Sequence, residues 1–509
     1  MLSFHDKNRK WWTLLAMSSA LALVFIDQTA LAVALPAIQR DLNLNNNLLQ
    51  WVINGYLLTL STFILLGGRV GDGLGHKRAF LFGSIVFIAA SLGSAAAQSG
   101  SWLIVARIIQ GVGAAFMLPS TNALVVQAFP KKDRGKAVGL YVGLAATFLA
   151  LGPFLGGMLT AWFSWRAVFW INLPVALTSV VLASTAVPKW EATDKMTIDY
   201  AGLLLSIGFI SGFVLCFMQG SLWGWTSPTI IIVFLLSMFA LIGFILLEHR
   251  IQHPLVEMAL FKNPVFSIAL TVTVIVQAVA MVFVFWAIFI QNVLAYSPLQ
   301  AGLLLLPAVL PVIFMAPIGG YLRDRYGPTP PMFTGCLLVT LSLIWIGFSS
   351  HYQRYVWLFP GLLLYGIGMS LSISGNLATV MSTVTDKQCG IAGAIMGCAR
   401  QVGNSMGLAI LVGLLSSLNK WQLTVFLSKK ASPPLSYIQE HQIDGLLMKS
   451  TLAMHTISHL SIQSVALLKI AALKAYIFAF SITMYAAALL TFLCLLLVLR
   501  MPRAVKFVD

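Results

Sequence analysis

The sequence predicts an all-α membrane protein in which two six-helix bundles are joined by a two-helix insertion, giving fourteen transmembrane helices. Of its 509 residues, 59% are hydrophobic and 9% are charged, whereas a soluble protein carries about 25% charged residues. Apolar runs of the roughly 20 residues needed to cross a bilayer recur along almost the whole chain. A glycine-rich, charged turn also occurs twice, which indicates two related halves. The lipid bilayer is therefore the expected solvent of this protein.

Fourteen apolar segments account for these runs. The first resembles a secretory signal peptide, but its apolar run continues through Asp27 to about Pro36. That is too long for a cleaved segment, so we expect it to be retained as a helix. The predicted spans are 12–36, 48–70, 78–98, 101–128, 135–161, 167–187, 200–220, 228–247, 265–294, 299–322, 330–350, 355–381, 388–418 and 472–499.

The distribution of basic residues predicts the orientation of these spans. With the N-terminus placed in the cytoplasm, the loops and tails on that side hold twenty Lys and Arg, and the short loops on the other side hold three. Cytoplasmic loops carry such an excess, so both termini are predicted to be cytoplasmic and the protein to lie in the cell inner (cytoplasmic) membrane. The net charge of +16 is spread over loops and forms no basic face, which disfavours nucleic acid as a partner.

An internal repeat predicts the division into domains. The stretch Gly67–Gly75 recurs as Gly319–Gly327, 252 residues later, and each copy closes an even-numbered helix at the cytoplasmic face. Eight helices fit into that offset, whereas two adjacent six-helix halves would need six, so the extra pair is assigned to a linker hairpin. Paired halves with a site between them are the common plan of secondary transporters. The predicted domains are an N-terminal bundle at 1–187, the linker with two extra helices at 188–262, and a C-terminal bundle at 263–509 with an external loop at 419–471.

Two charged residues are predicted within the membrane helices of the first half. Arg107 lies in the stretch LIVARIIQG of the fourth span, and Asp27 is the only acidic residue placed well inside a span. Charges at such positions are costly and are functional candidates by default. At 1.5 Å per residue, Asp27 lies about 13 Å and Arg107 about 9 Å below the same surface, so the two could pair. An isolated buried carboxylate favours its protonated form and can exchange protons, the alternative being a permanently ionised Asp27 locked to Arg107.

Glycines mark two further motifs. In the turn GRVGDGLGHKR, residues 68–78, glycine permits a tight bend, and Asp72 can accept hydrogen bonds from a helix N-terminus. In the fifth span, proline bends the helix and glycines at four-residue spacing allow a close helix–helix approach. The residues of this second motif are Gly152, Pro153, Gly156 and Gly157.

Together with the stretch DQTALAVALP that begins at Asp27, these motifs resemble the drug:proton antiporters of the major facilitator superfamily, in its fourteen-helix branch, over nearly the whole chain. The resemblance implies proton-coupled efflux of lipophilic small molecules by alternating access, with a proton gradient as energy source and no cofactor or metal. It assigns proton coupling to Asp27 and Arg107 and the antiporter motif to the glycines of the fifth span. His76 and Phe148 depart from the family pattern, which usually has Arg and Gly there.

The resemblance also implies a latch that holds the two halves together at the cytoplasmic face. The residues of the predicted latch are Gly68, Asp72, Gly75, Lys77, Asp133, Arg134 and Asp324, with Asp133 and Arg134 as alternatives for the contact made by the next inner loop.

A central cavity between the halves is the expected substrate site. The polar residues assigned to it are Gln28, Gln110, Arg400 and Gln401. Arg107 and Arg400 are two positive charges in the membrane core against one carboxylate, so we expect neutral or anionic lipophiles to be preferred over dications. The other expected partners are protons, the lipid bilayer and, through the long 419–471 segment, a periplasmic adaptor protein with an outer-membrane channel.

The sequence leaves two other functions open and disfavours a third. The motifs do not separate drug efflux from export of an endogenous metabolite such as a siderophore. A non-transporting membrane receptor or scaffold is a remote alternative. An integral-membrane enzyme is disfavoured because all eight His fall in predicted loops, tails or helix margins, and the five Cys have no metal-ligand spacing. His455 and His459 are four residues apart, but no third ligand is evident.

Overall fold

The computed structural model describes residues 8–187, 199–251, 254–430 and 462–501, which form α-helices joined by short turns and 3-10 segments. The first half of the chain comprises α1 (Arg9–Asp41), α2 (Asn46–Leu74), α3 (His76–Ala95), α4 (Gly100–Ala128), α5 (Arg134–Trp162), α6 (Ala167–Trp170) and α7 (Asn172–Ala186). The insertion comprises α8 (Tyr200–Trp223) and α9 (Pro228–Glu248). The second half comprises α10 (Pro264–Ala280), α11 (Val282–Asn292), α12 (Pro298–Leu304), α13 (Leu306–Val309), α14 (Pro311–Tyr326), α15 (Thr329–Ser349), α16 (Tyr355–Ser382), α17 (Cys389–Lys430) and α18 (Ile462–Leu499).

Fourteen helical segments within the described ranges are long and apolar enough to cross a membrane, which confirms the predicted number of spans. Three of these segments are built from more than one helix, namely α6 with α7, α10 with α11, and α12 with α13 and α14. Membrane helices tolerate such interruptions where neighbouring groups satisfy the freed backbone atoms.

Two helices near the end of the chain are longer than predicted. α17 continues to Lys430 and α18 begins at Ile462, so both helices extend into the stretch 419–471 that is predicted as an external loop. Apolar residues recur beyond residue 418, as in Trp421 and Leu423, and let the helix continue. At 1.5 Å per residue, the 42 residues of α17 span about 63 Å, well beyond the hydrocarbon thickness. The stretch 431–461, which contains His455, His459 and most of the predicted docking segment, lies outside the described residues.

The two halves meet on two sides of the contact. On one side α2 and α4 pack on α17, and on the other α5 packs on α14 and α16. The insertion hairpin is not remote from this contact, because α8 packs on both α2 and α17 while α9 packs on α8. On its outer side the hairpin presents large apolar side chains such as Leu204, Leu235 and Phe239, as expected of a lipid-facing surface.

Candidate functional site

Asp27 and Arg107 form a buried ion pair, the contact that their similar depths make possible. The Arg107 Nη1 atom lies 2.6 Å from Asp27 Oδ2, and the two side chains are 1% and 0% exposed. Asp27 lies in the middle of α1 and Arg107 in the second turn of α4, where the matching depths calculated from helix rise allow them to meet. A buried pair of this kind is disrupted at a cost of about 3–5 kcal/mol when one partner is removed.

Two neutral amides complete the coordination of the Asp27 carboxylate. Gln110 Nε2 and Asn172 Nδ2 donate to Asp27 Oδ1 at 2.9 and 2.8 Å. The Asn172 amide also donates to Ser91 Oγ at 3.0 Å, which links the start of α7 to α3. The carboxylate therefore accepts hydrogen bonds from three side chains.

Arg107 makes further contacts besides its ion pair with Asp27. Its Nη1 donates to Gln110 Oε1 at 2.6 Å and its Nε to the Val52 carbonyl at 3.1 Å. The guanidinium carbon lies 4.4 Å from the centre of the Tyr56 ring, a cation–π distance. The charged pair thus joins α1, α2, α4 and α7 of the first half in one network.

The glycine motif of α5 packs against the helix that carries Asp27. A Cβ atom on Gly156 would lie 2.6 Å from the Cα atom of Ala30, and a Cβ on Gly152 would collide with the Thr29 side chain. Gly157 is less constrained, because its nearest neighbour, Val33 Cγ1, would be 3.7 Å away. The close helix approach predicted for this motif is confirmed, and its partner is α1 immediately after Asp27.

The first predicted latch residue, Asp72, connects the two halves. Its Oδ1 and Oδ2 atoms accept from the backbone N–H groups of Gly390 and Ile391 at 2.8 and 2.7 Å. These donors belong to the first turn of α17, where the helix leaves its N–H groups without intrahelical partners and places partial positive charge. His76, the departure from the family pattern, lies 3.2 Å from Asp72 through its Nε2 atom and is buried beside it.

Asp324 makes the same contact in the opposite direction. Its Oδ1 and Oδ2 atoms accept from the N–H groups of Gly135 and Lys136, at the start of α5, at 3.0 and 2.9 Å. Asp72 and Asp324 are equivalent positions of the internal repeat. Each half therefore uses one carboxylate to cap a helix of the other half, and the contact is approximately symmetric.

Glycine is required at two kinds of position in this latch. Gly75 and Gly327, equivalent in the repeat, end α2 and α14 at φ values of +97° and +86°, which favour glycine. Gly68 lies so close to α17 that a Cβ would be 2.6 Å from the Gly390 carbonyl oxygen. The repeat thus preserves the helix ends that deliver the two carboxylates.

The other predicted latch residues, Arg134, Asp133 and Lys77, do not cap a helix of the opposite half. Arg134 Nη2 lies 2.9 Å from Asp386 Oδ1 of the second half, so Arg134 makes the contact predicted for one of the two loop residues. The Asp133 side chain has no hydrogen bond or ion pair among the described residues. Lys77 Nζ donates to the Ser184 and Val187 carbonyls within the first half, each at 2.7 Å.

Three of the four residues predicted to line a cavity lie near the contact between the halves. Gln401 Nε2 donates to Ser61 Oγ across that contact at 3.3 Å. Arg400, half-buried one residue earlier on α17, lies near Tyr56 and Tyr141 of the first half. Gln28 is half-buried near the Tyr56 hydroxyl.

The cavity prediction is wrong for Gln110. Its side chain is fully buried and belongs to the Asp27–Arg107 network. The physical reason is its position one helical turn after Arg107, which places both side chains on the same face of α4.

Sequence reasoning missed the contribution of neutral residues to this site. Asn172 is a single neutral amide within the predicted span 167–187, and Tyr56 and Ser91 carry no signal. A polar amide at the beginning of an apolar helix is a signal that could have identified Asn172, since buried polar groups need partners.

Comparisons with known proteins agree with this architecture. A family model for the Major Facilitator Superfamily matches residues 17–408. The chain is 32% identical over 429 residues to the tetracenomycin C resistance and export protein of Streptomyces glaucescens, covering 81% of this chain and 77% of that protein. It is 30% identical over 440 residues to the multidrug resistance protein Stp of Mycobacterium tuberculosis, covering 86% and 81%. The solved structure of the proton:xylose symporter XylE matches with a TM-score of 0.60 at 15% identity, covers 95% of each chain, and shows that the fold is shared.

Proposed function

Because this chain belongs to the Major Facilitator Superfamily, we propose that it exports lipophilic drugs and toxic compounds by alternating access, driven by protons moving in the opposite direction. The relatives named for tetracenomycin C resistance and export and for multidrug resistance support efflux of drugs. The excess of basic residues on the latch side of the helices supports a cytoplasmic latch, with both termini in the cytoplasm and the protein in the inner membrane.

The observation that carries the proton coupling is the closed network around Asp27. The carboxylate balances the charge of Arg107, and both side chains are shielded from solvent. A proton arriving on Asp27 from outside removes that balance and converts one oxygen from an acceptor into a donor. Arg107 then keeps its contacts to the Val52 carbonyl and Gln110 but loses its counter-charge. Protonation therefore destabilises this conformation and shifts the equilibrium towards the alternative conformation of the carrier.

The packing of α5 connects the helix that carries Asp27 to the latch. One end of α5 holds the glycines that contact α1 at Thr29 and Ala30, and the other end holds the N–H groups that Asp324 caps. A shift of α1 on protonation therefore acts on a helix that is also part of the contact between the halves. Deprotonation to the cytoplasm restores the ion pair and resets the carrier.

Transport assays test this function directly. Cells that overproduce the protein are expected to survive higher concentrations of several unrelated lipophilic toxins. Inside-out vesicles acidified internally are expected to accumulate the same compounds, and a protonophore is expected to abolish the accumulation. Resistance without accumulation in acidified vesicles would contradict proton-driven efflux.

The partner predicted for the long segment before α18 stays a prediction. A periplasmic adaptor with an outer-membrane channel would receive substrate exported across the inner membrane. Photo-crosslinkers placed in residues 431–461 of the intact chain are expected to capture such an adaptor in whole cells. Unaltered resistance of a Gram-negative host after deletion of residues 425–450 would argue strongly against it.

A further inference from the structure

Two neighbouring carboxylates, Asp199 and Glu248, lie at the latch-side end of the insertion hairpin, away from Asp27. Asp199 precedes α8, and its Oδ1 atom accepts from the Gly202 N–H at 2.9 Å. Glu248 ends α9, is 3% exposed, and accepts from the Val256 N–H through Oε2 at 3.2 Å. The other oxygen of each residue, Asp199 Oδ2 and Glu248 Oε1, is buried without a hydrogen-bond donor.

These two unpartnered oxygens face the same small space. Each lies under 3.0 Å from the position that a Cβ atom on Gly202 would occupy, so they are less than twice that distance apart. A buried polar atom without a partner is costly, and two adjacent buried carboxylates do not both remain ionised without compensation.

The surrounding charges do not supply that compensation in full. Among the residues that the structure describes, the charged groups that face Glu248 are Asp199 and Arg69 of α2, and the backbone of Leu255 and Val256 covers another side. A single Arg offsets one negative charge, whereas the pair carries two when both residues are ionised. One proton, held as a carboxyl group that donates to the other carboxylate, satisfies both the charge and the unpartnered oxygens.

We propose that Asp199 and Glu248 share one exchangeable proton and form a second proton-binding site, built by the insertion hairpin and distinct from Asp27. Arg69 connects this site to the latch, because it lies one residue after Gly68 and three before Asp72 on α2. Release of the proton leaves a second negative charge facing Arg69 and strengthens the attraction between α2 and the hairpin. The insertion thereby makes the latch-side end of α2 responsive to protons from the solution on that side.

Infrared spectroscopy of the purified full-length protein in lipid nanodiscs tests this site without relying on transport. The difference spectrum between wild type and Glu248→Gln at neutral pH should contain one carbonyl band of a protonated carboxyl group, and this band should vanish at alkaline pH. Asp199→Asn should also remove it, because the new amide donates to Glu248 and leaves that group ionised. The matched control is Glu257→Gln. Glu257 already accepts a hydrogen bond from Gln388 Nε2 at 2.6 Å, so this variant should leave the band unchanged.

Two results would overturn the proposal. The first is the absence of any protonated-carboxyl band in the difference between wild type and Glu248→Gln at every pH tested. The second is a band that survives in Asp199→Asn, since the proton would then belong to Glu248 alone. Size-exclusion profiles identical to that of the wild type establish that the variants are folded. The proposed drug efflux can fail while this site persists, because the band is measured in the absence of substrate.

Discussion

The reciprocal capping of helices by Asp72 and Asp324 gives a quantitative prediction for the latch. Each carboxylate accepts two backbone N–H groups from the other half. An Asp→Asn change keeps one acceptor oxygen and turns an NH2 group towards the other N–H. The loss is about 1.5–3 kcal/mol for a hydrogen bond to a charged group and about 0.3–1 kcal/mol for the charge at the helix N-terminus. At 1.4 kcal/mol per tenfold, about 2–4 kcal/mol shifts the population of the open state roughly 30- to 700-fold.

A native cysteine can report this shift. Cys398 on α17 lies at the contact between the halves, with its Sγ atom 4.0 Å from the Ser61 carbonyl oxygen. In a variant that retains Cys398 as its only cysteine, a membrane-impermeant maleimide applied from the latch side should label it slowly. Asp72→Asn and Asp324→Asn should each accelerate labelling by the factor given above, and the double variant by about the product of the two factors.

The matched control for the latch is Asp133→Asn, because Asp133 lies at the same face and its side chain caps no helix. Its labelling rate should equal that of the parent. Equal rates for Asp324→Asn and the parent, alongside a large effect of Asp72→Asn, would refute the symmetric latch. Equal rates for all variants would refute closure by helix capping altogether.

The remaining predictions concern the glycine motif, the amide network and the cavity. Gly156→Ala should reduce drug efflux several-fold because its Cβ would meet the backbone of Ala30, whereas Gly157→Ala has space and should be nearly neutral in the same vesicle assay. Asn172→Leu removes a donor to Asp27 and should lower the free energy of unfolding by about 1–3 kcal/mol, measured as a lower thermal midpoint in detergent. Arg400→Gln should weaken efflux of lipophilic weak acids and leave neutral substrates unaffected, because Arg107 is already balanced by Asp27 and Arg400 has no ion pair among the described residues. Robust transport of a dicationic dye by the wild type, without transport of weak acids, would contradict the charge argument.

The contacts that the sequence predicts best are those for which a residue has few alternative partners. Charges inside apolar helices have hardly any other partners, so the similar depths of Asp27 and Arg107 make them candidates for a pair. The glycine-rich turn likewise indicates Asp72 as an acceptor for a helix N-terminus, and Asp324 occupies the equivalent position of the repeat. The helix that each one caps could not be predicted, since Asp72 and its donor Gly390 are 318 residues apart in the chain. Such a pairing depends on how the halves dock.

Neutral residues and residues at helix ends could not be predicted as parts of a site, for a different reason. Tyr56 and Ser91 have no charge or spacing that distinguishes them, and packing alone decides that they face the network. Glu248 directly follows the predicted span 228–247, so its position in the sequence gives no sign of burial. The chain following α9 folds back and donates from Val256, which buries the carboxyl group. Burial at helix ends is set by tertiary contacts and is not encoded in local hydropathy.

Uphill transport by Asp27→Asn tests the central claim most directly. The variant retains the size of the side chain and can still accept a hydrogen bond from Arg107, so it should fold and bind substrate, but it cannot exchange a proton. In proteoliposomes with an imposed pH gradient, wild type should concentrate substrate against its gradient. Asp27→Asn should fail to do so and should still exchange labelled for unlabelled substrate across the membrane. Proton-driven accumulation of substrate by Asp27→Asn at the wild-type level would contradict the assignment of Asp27 as the proton carrier.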